Sequence, residues 1–237
     1  TTFRREVPLR TRCCHLKKKL IHLETKMNTN LKLSFPVRIA RSLFVVAVLL
    51  ALLQVSPVHA ATLMVINVND GGIGSLRWAI ANASPGDTIT FRAALAGKTI
   101  SLSATLKISK NVTINGSTLS SPVKISGNHA VRVFMVDSGV TATLRGLSII
   151  DGKAVDDGGG ILNNGSLTVL NSNLIGNHAN SGGAIATYNM LIVRDSTFSG
   201  NVAISFGGGI ENVGAMEVSG STFIQNSGKP GAGISSL

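Results

Sequence analysis

The chain has 237 residues and a formal net charge of +11, a balance that is typical of nucleic-acid-binding proteins. However, residues 1–60 hold 11 of the 22 Lys and Arg residues against two acidic residues, whereas residues 61–237 hold 11 against nine. The basic charge therefore belongs to the N-terminal quarter. The composition of residues 61–237 argues against a nucleic-acid partner.

The N-terminal quarter is typical of targeting sequence. Residues 1–26 precede the first Met and are interpreted as an upstream, non-domain segment. Residues 27–60 have basic residues, then an apolar run of 11 residues over 43–53, then Val58-His59-Ala60. This order predicts a signal peptide cleaved after Ala60, and the run is shorter than the ~18 residues of a membrane span. An uncleaved anchor is the alternative.

Export predicts an extracellular location, at the outer membrane or another cell surface. Both cysteines, Cys13 and Cys14, lie before the predicted cleavage site. The mature chain would therefore contain no disulfide, and its core and backbone hydrogen bonds must stabilise it alone.

Residues 61–97 are predicted to form an N-terminal cap. A strand over Leu63–Val68 leads into a glycine-rich turn, after which Ser75 is expected to cap a short helix with one apolar face. Trp78, the single Trp, is expected to pack at this cap. The turn at Gly72 and Gly74 lacks the third glycine of a dinucleotide motif, and no Gly-Lys-Ser/Thr follows. No nucleotide is therefore expected to bind.

Residues 98–237 are predicted to form repeated coils. Apolar residues recur every 24 or 25 residues in three columns: Ile161, Ile185, Ile210 and Ile234; Val169, Val193 and Val218; Leu174, Phe198 and Phe223. Shifting back by one repeat places Leu144 under Val169 and Ile149 under Leu174. Within a coil, apolar and polar residues alternate with period 2, and no segment is long enough for a helix. This pattern predicts an all-β fold, a right-handed single-stranded parallel β-helix with a short capping helix.

Two polar columns follow the same spacing. Asn177, Asn201 and Asn226 are predicted to form a ladder of side-chain amides at a turn. A second column comprises Gly165, Asn189 and Gly214, and we expect it to form a corner with positive φ.

The coil starting at Gly231 stops before the elements that close the earlier coils, so the β-helix is expected to be incomplete at its C-terminus and to associate end to end.

These motifs resemble known repeats. "GGAI" at Gly182–Ile185, "FSGN" at Phe198–Asn201 and "FIQN" at Phe223–Asn226 resemble the repeats of chlamydial polymorphic outer membrane proteins. The broader pattern resembles bacterial β-helix proteins of the pectate-lyase-like superfamily. "GSLRWAI" resembles the CSLREA-type N-terminal segment of exported β-helix proteins, with Gly74 in place of the cysteine and Trp78 in place of the glutamate. The resemblance implies adhesion at a cell surface.

Candidate catalytic residues are few. Asp156 and Asp157 form the only adjacent acidic pair of residues 61–237 and resemble the paired Asp of polygalacturonase-like hydrolases, but the companion His-Gly and Arg-x-Lys elements are missing. The alternative is a solvated loop. Lys153 and Arg145 were the nearest basic residues that could complete a lyase-like site.

Other candidate binding residues are isolated. His129 and His178 each follow "GN", and a vertical stack would hold them ~10 Å apart, too far to share a metal ion, with Lys153 on the rung between them. Tyr188 is expected to be exposed, and its ring could contact a sugar.

The sequence thus predicts an exported cell-surface passenger with an adhesin-like or structural role and no cofactor or metal. Glycans or a host or neighbouring cell surface are the expected partners. A polysaccharide lyase or glycoside hydrolase, and a carbohydrate-binding module without catalytic activity, remain as alternatives.

Overall fold

A computed structural model describes residues 60–236. The predicted upstream segment and all of the predicted signal peptide except Ala60 lie outside these residues. Over 60–236, no helix combines the length and apolar character needed to cross a membrane.

The described chain is a parallel β-helix, as the repeat spacing predicts. Each regular coil passes through three sheets in turn, and every strand pairs in parallel with its equivalents in the neighbouring coils. Sheet 1 contains β1 Thr62–Val65, β2 Thr88–Phe91, β5 Val112–Asn115, β8 Thr141–Arg145, β11 Ser166–Leu170, β15 Met190–Arg194 and β19 Met216–Ser219. Sheet 2 contains β3 Thr99–Ser101, β6 Val123–Ser126, β9 Leu147–Ile150, β12 Asn173–Ile175, β16 Thr197–Ser199 and β20 Thr222–Ile224.

Sheet 3 completes the coil and precedes sheet 1 along the chain. It contains β4 Leu106–Ile108, β7 Phe134–Val136, β10 Ile161–Asn163, β14 Ile185–Thr187, β18 Ile210–Asn212 and β21 Ile234–Ser236. A short fourth ladder, β13 His178–Ala179 with β17 Val202–Ala203, lies between sheets 2 and 3 in chain order. Seven strands of sheet 1 therefore give a stack of seven rungs.

The register confirms the predicted apolar columns. Ile161 pairs with Ile185, which in turn pairs with Ile210, and all three are fully buried. Leu174 pairs with Phe198, whose ring stacks on that of Phe223 with centroids 4.6 Å apart. The remaining predicted partners also pair in register, including Val169 with Leu144 and Leu174 with Ile149. The core is thus a set of continuous stacks that run along the helix axis.

The predicted asparagine ladder is also confirmed. The Asn177 side chain donates to Asn201 Oδ1 over 2.9 Å, and the Asn201 side chain donates to Asn226 Oδ1 over the same distance. The same oxygens accept backbone N–H groups of Asn177 and Asn201. Each amide thereby satisfies backbone groups of a turn in which Asn177 and Asn201 are fully buried and Asn226 is half-buried.

The predicted corner column is wrong about φ. Gly165, Asn189 and Gly214 are not among the residues with positive φ. A Cβ at Gly165 would lie 2.5 Å from the carbonyl oxygen of Asp137, and one at Gly214 would collide with the backbone of Asn189. Glycine is therefore required at these two positions by close backbone approach, not by conformation.

Left-handed corners lie directly after the strands of sheet 1 and of sheet 2. The four residues after sheet 1 have φ between 47° and 64° and are spaced by one repeat: Gly146, Asn171, Asp195 and Gly220. The four after sheet 2 have φ between 52° and 64°: Asp151, Gly176, Gly200 and Gln225. Gly, Asn and Asp are the residues that adopt this conformation most readily.

The N-terminal cap forms as predicted, with a shorter strand. Helix α1 spans Leu76–Asn82 and is capped by Ser75, whose hydroxyl oxygen accepts the Trp78 N–H over 3.1 Å. A short 3-10 helix, Ala93–Leu95, follows β2. Strand β1 ends at Val65 because the N–H groups of Ile66 and Asn67 turn to the carbonyl of Gly74. Leu76 is fully buried, and Trp78 packs against the core.

Candidate functional site

The loop that carries Asp156 and Asp157 lies between β9 and β10 and is held by Arg132. The Arg132 guanidinium pairs with the Asp156 carboxylate and also donates to the carbonyl oxygens of Asp157, over 2.7 Å, and Gly158, over 2.9 Å. The Arg132 side chain is only 12% exposed. Asp156 therefore has a structural partner, and the bidentate geometry of arginine fixes the loop that precedes Asp157.

Asp157 is oriented differently from Asp156 and contacts the next coil. Its backbone bridges to Ser181, and its carboxylate Oδ2 accepts the phenolic hydroxyl of Tyr188 over 2.6 Å. Tyr188 follows β14 directly, and 45% of its surface is exposed. The tyrosine that the sequence singled out and one of the two candidate aspartates are thus brought together.

A third side chain, Glu211, adjoins this pair. Ile210 and Asn212 belong to inward columns, so alternation along β18 directs Glu211 to the outer face of sheet 3, where it pairs with Ala186 on the rung below. Even so, Glu211 is 6% exposed, and its Oε2 atom has no hydrogen-bond partner among the described residues. A buried acceptor without a donor is rare in a folded protein.

The outer face of sheet 3 is recessed around Glu211. Its outward column continues through Ala186, fully buried, and Ser235, 8% exposed. By contrast, on the outer face of sheet 1, Ile192 is half-buried and Glu217 is exposed. We name the area formed by Asp157, Tyr188 and Glu211 the Glu211 recess.

Two groups of the recess, Tyr188 and Glu211, have raised pKa values. Burial, followed by the charge of Asp157, raises the pKa of Glu211 above the usual glutamate range. The hydrogen bond to Asp157 is the main cause that raises the pKa of Tyr188, with burial and nearby carboxylates adding to it. Tyr188 therefore stays a neutral hydrogen-bond donor, and Glu211 holds its proton to a higher pH than an exposed glutamate does.

An open cleft of about 520 Å³ adjoins the Asp156 loop. His129, Arg132, Lys153 and Asp156 line it. Lys153 shares this cleft with Asp156 as the sequence suggested, whereas Arg145 ends β8 on sheet 1 and lines a different depression. The structure therefore places Lys153, but not Arg145, in a cleft with Asp156, and Asp157 does not line that cleft.

The two histidines have different neighbours. Lys153 bridges to His178 on the adjacent rung, but His129 turns out of the ladder at positive φ and approaches Asp151, with Nε2 3.7 Å from Oδ1. Between residues 60 and 236, no group of three or more His, Cys, Asp or Glu side chains could hold a metal ion.

Sheet 1 presents a second regular surface, a row of threonines on its outer face. One residue from each of five successive rungs contributes to it: Thr62, Thr88, Thr113, Thr143 and Thr168. Threonine favours an outward strand position and pairs well with itself across strands, so the row follows from sheet stability alone.

Sequence reasoning missed Glu211 and Arg132. Glu211 stands in an outward column whose residues vary from rung to rung, with Leu162, Ala186 and Ser235 at the equivalent positions, so the repeat alignment gave no signal for it. Arg132 gave no signal, because it lies in the irregular turn before the first regular coil. Comparison with protein families, with curated proteins and with solved structures gives no match to this chain.

Proposed function

We propose that the chain is an exported cell-surface β-helix protein whose outer face binds glycans or a neighbouring cell surface, in an adhesin-like role. The observation that carries this proposal is the contrast between the inner and outer columns of sheet 3. The inner column is Ile at each regular rung, whereas the outer column changes from Leu162 to Ala186, Glu211 and Ser235.

This contrast suits a binding surface. The inner columns and their backbone ladders keep a constant rung spacing of ~4.8 Å, so the outer residues can vary without cost to the core. The chain thereby presents a long surface with local chemical features such as the Glu211 recess. The predicted signal peptide and the resemblance to polymorphic outer membrane proteins support export and adhesion.

The test is retention of the full-length chain on immobilised glycans and on intact cells. We expect retention above that of a heat-unfolded sample, and we expect N-terminal sequencing of the exported material to begin at Ala61. Absence of retention on every glycan and cell surface would contradict the binding role. Material that still starts within residues 1–59 would contradict the signal peptide.

A second candidate function is hydrolysis of a polysaccharide. The specific observation is that burial and the charge of Asp157 raise the pKa of the Glu211 carboxyl group. Paired carboxyl groups of this kind supply the acid and base of glycoside hydrolysis. Release of reducing ends that disappears in Asp157→Asn would favour this function, whereas retention without release would favour binding.

A further inference from the structure

The Glu211 recess contains an acceptor for which the described residues supply no donor. Glu211 Oε2 is buried and has no hydrogen-bond partner within residues 60–236, and leaving such a group without a donor costs free energy. The neighbouring groups of the recess do not supply the donor, since the Tyr188 hydroxyl proton is already directed to Asp157 over 2.6 Å.

The remaining features specify what kind of ligand would bring that donor. An ionised carboxylate only accepts hydrogen bonds, so Asp157 and Glu211 together favour a ligand with several donors close together. The ring of Tyr188, 45% exposed and fixed through its hydroxyl, offers an apolar surface beside them. Adjacent hydroxyl donors and an apolar C–H face are combined in a pyranose ring, and an aromatic surface with a few fixed polar groups is typical of small-molecule sites.

The charge of the recess restricts the class of sugar. Four ion pairs of Lys or Arg and one contact between His129 and Asp151 occur within residues 60–236, and none involves Asp157 or Glu211. Arg132, the cation that holds this loop, already pairs with Asp156 and binds backbone carbonyls. Lys153, a cation within the loop, lines the cleft with Asp156. A uronic acid would place its carboxylate beside uncompensated carboxylates and be repelled, whereas a neutral sugar or an amino sugar would not.

We propose that the Glu211 recess binds a neutral or amine-bearing sugar residue of a glycan and excludes uronic acids. This inference rests on the proposed glycan-binding function and names its site and ligand class. Tyr188 packs against the sugar, and Asp157 and Glu211 accept its hydroxyl or ammonium protons. The inference departs from the acidic polysaccharides that the paired Asp motif would suggest.

Tyr188 is the single tyrosine of the chain, which gives the recess its own spectroscopic reporter. In the full-length chain labelled with ring-¹³C tyrosine, only one set of tyrosine ring signals is present. We expect xylan, mannan and glucosamine oligosaccharides to shift these signals and oligogalacturonate to leave them in place. Equal or larger shifts with oligogalacturonate would overturn the inference.

Variants connect the signal to the residues. Tyr188→Ala and Glu211→Gln should each weaken retention on the oligosaccharide that shifts the ring signals by about tenfold, and Tyr188→Phe should weaken it less. Glu217→Gln, on sheet 1 and 56% exposed at its side chain, is the matched control and should bind as the parent chain does. Thermal unfolding of each variant verifies that the β-helix is intact.

The outcomes separate this inference from the proposed function. Glycan retention with unmoved tyrosine signals and unaffected Tyr188→Ala binding would overturn the site and leave the glycan-binding function standing. Retention on cells but on none of the oligosaccharides would also overturn the site. Loss of both kinds of retention would overturn the proposed function with it.

Discussion

Replacing Asn201 by alanine should destabilise the β-helix more than any exposed asparagine does. Asn201 is fully buried at the centre of the asparagine ladder. Its side chain donates to the Leu174 carbonyl over 2.8 Å and to Asn226 Oδ1 over 2.9 Å, and its Oδ1 accepts the backbone and side-chain N–H groups of Asn177. The substitution removes all four hydrogen bonds.

The magnitude follows from what each partner loses. The Asn177 backbone N–H is left buried without its acceptor, which costs about 1–3 kcal/mol. The Asn177 side chain keeps its bond to the Ile149 carbonyl, so the loss there is that of an ordinary hydrogen bond, about 1 kcal/mol. With the two donated bonds added, we expect a loss of about 3–5 kcal/mol in the free energy of unfolding, a large share of the ~5–15 kcal/mol that stabilises a domain.

The assay is urea unfolding of the full-length chain followed by circular dichroism, with hydrogen exchange at the Asn177 amide as the local measurement. Asn173→Ala is the matched control, since the Asn173 side chain is half-buried on sheet 2 and its replacement should change stability by no more than about 0.5 kcal/mol. If Asn201→Ala costs less than about 1 kcal/mol, or leaves Asn177 exchange unchanged, the ladder does not stabilise the turn as argued.

Three further predictions follow from buried packing, backbone contact and burial of charge. Phe198→Ala, at a fully buried ring, should cost about 3–5 kcal/mol in urea unfolding, and Phe223→Ala, at a partly exposed ring, clearly less; equal costs would contradict the assigned burial. Gly183→Ala should destabilise the protein by more than about 2 kcal/mol, because its Cβ would lie 2.6 Å from the Val202 carbonyl oxygen. The control is Gly71→Ala, whose Cβ would have no atom within 4 Å. In thermal unfolding this variant should be as stable as the parent chain or slightly more stable. Because the folded-state pKa of Glu211 is raised, the parent chain should lose stability as pH rises above the ordinary glutamate pKa of about 4.3. Glu211→Gln should therefore be the more stable protein at neutral pH and lose that advantage near about pH 4; a constant difference across pH would show that the charge is not the cause.

The inner columns could be predicted from the sequence because the buried positions recur as apolar residues at a constant spacing. Each inward position must be apolar on every rung, so the spacing of Ile161, Ile185 and Ile210 gives the coil length and the strand register together. The same logic located the asparagine ladder. In both cases one physical requirement acts on every coil, and the sequence repeats it.

The φ values of the corner column were mispredicted because a position can require glycine for either of two physical reasons. Gly165 is needed where a Cβ would meet a carbonyl oxygen, and Gly146 where φ is 64°. Composition alone does not separate the two. The column with positive φ contains Asn171 and Asp195, residues that tolerate that conformation, but the mispredicted column also mixes Gly with an asparagine, Asn189.

The Glu211 recess could not be predicted because its contacts are diagonal across the stack. Asp157, Tyr188 and Glu211 come from three successive coils, and the bond from Tyr188 to Asp157 joins residues 31 apart, which is longer than the repeat. The direction of the tyrosine side chain and the path of the loop before β10 decide this contact. Neither is repeated in other coils, so no periodic signal exists.

The elements that carry these three residues also limit how the recess can change. Tyr188 and Glu211 lie just after or within strands whose register is fixed by fully buried partners, Ile185 and Ile210. Asp157 lies in a loop whose position depends on Arg132. A substitution at Arg132 would therefore move one side of the recess while the other side remained in place, because a solenoid transmits disturbance to neighbouring rungs and little further. The recess thus combines a rigid wall on sheet 3 with one adjustable loop, an arrangement that allows ligand preference to change without refolding the β-helix.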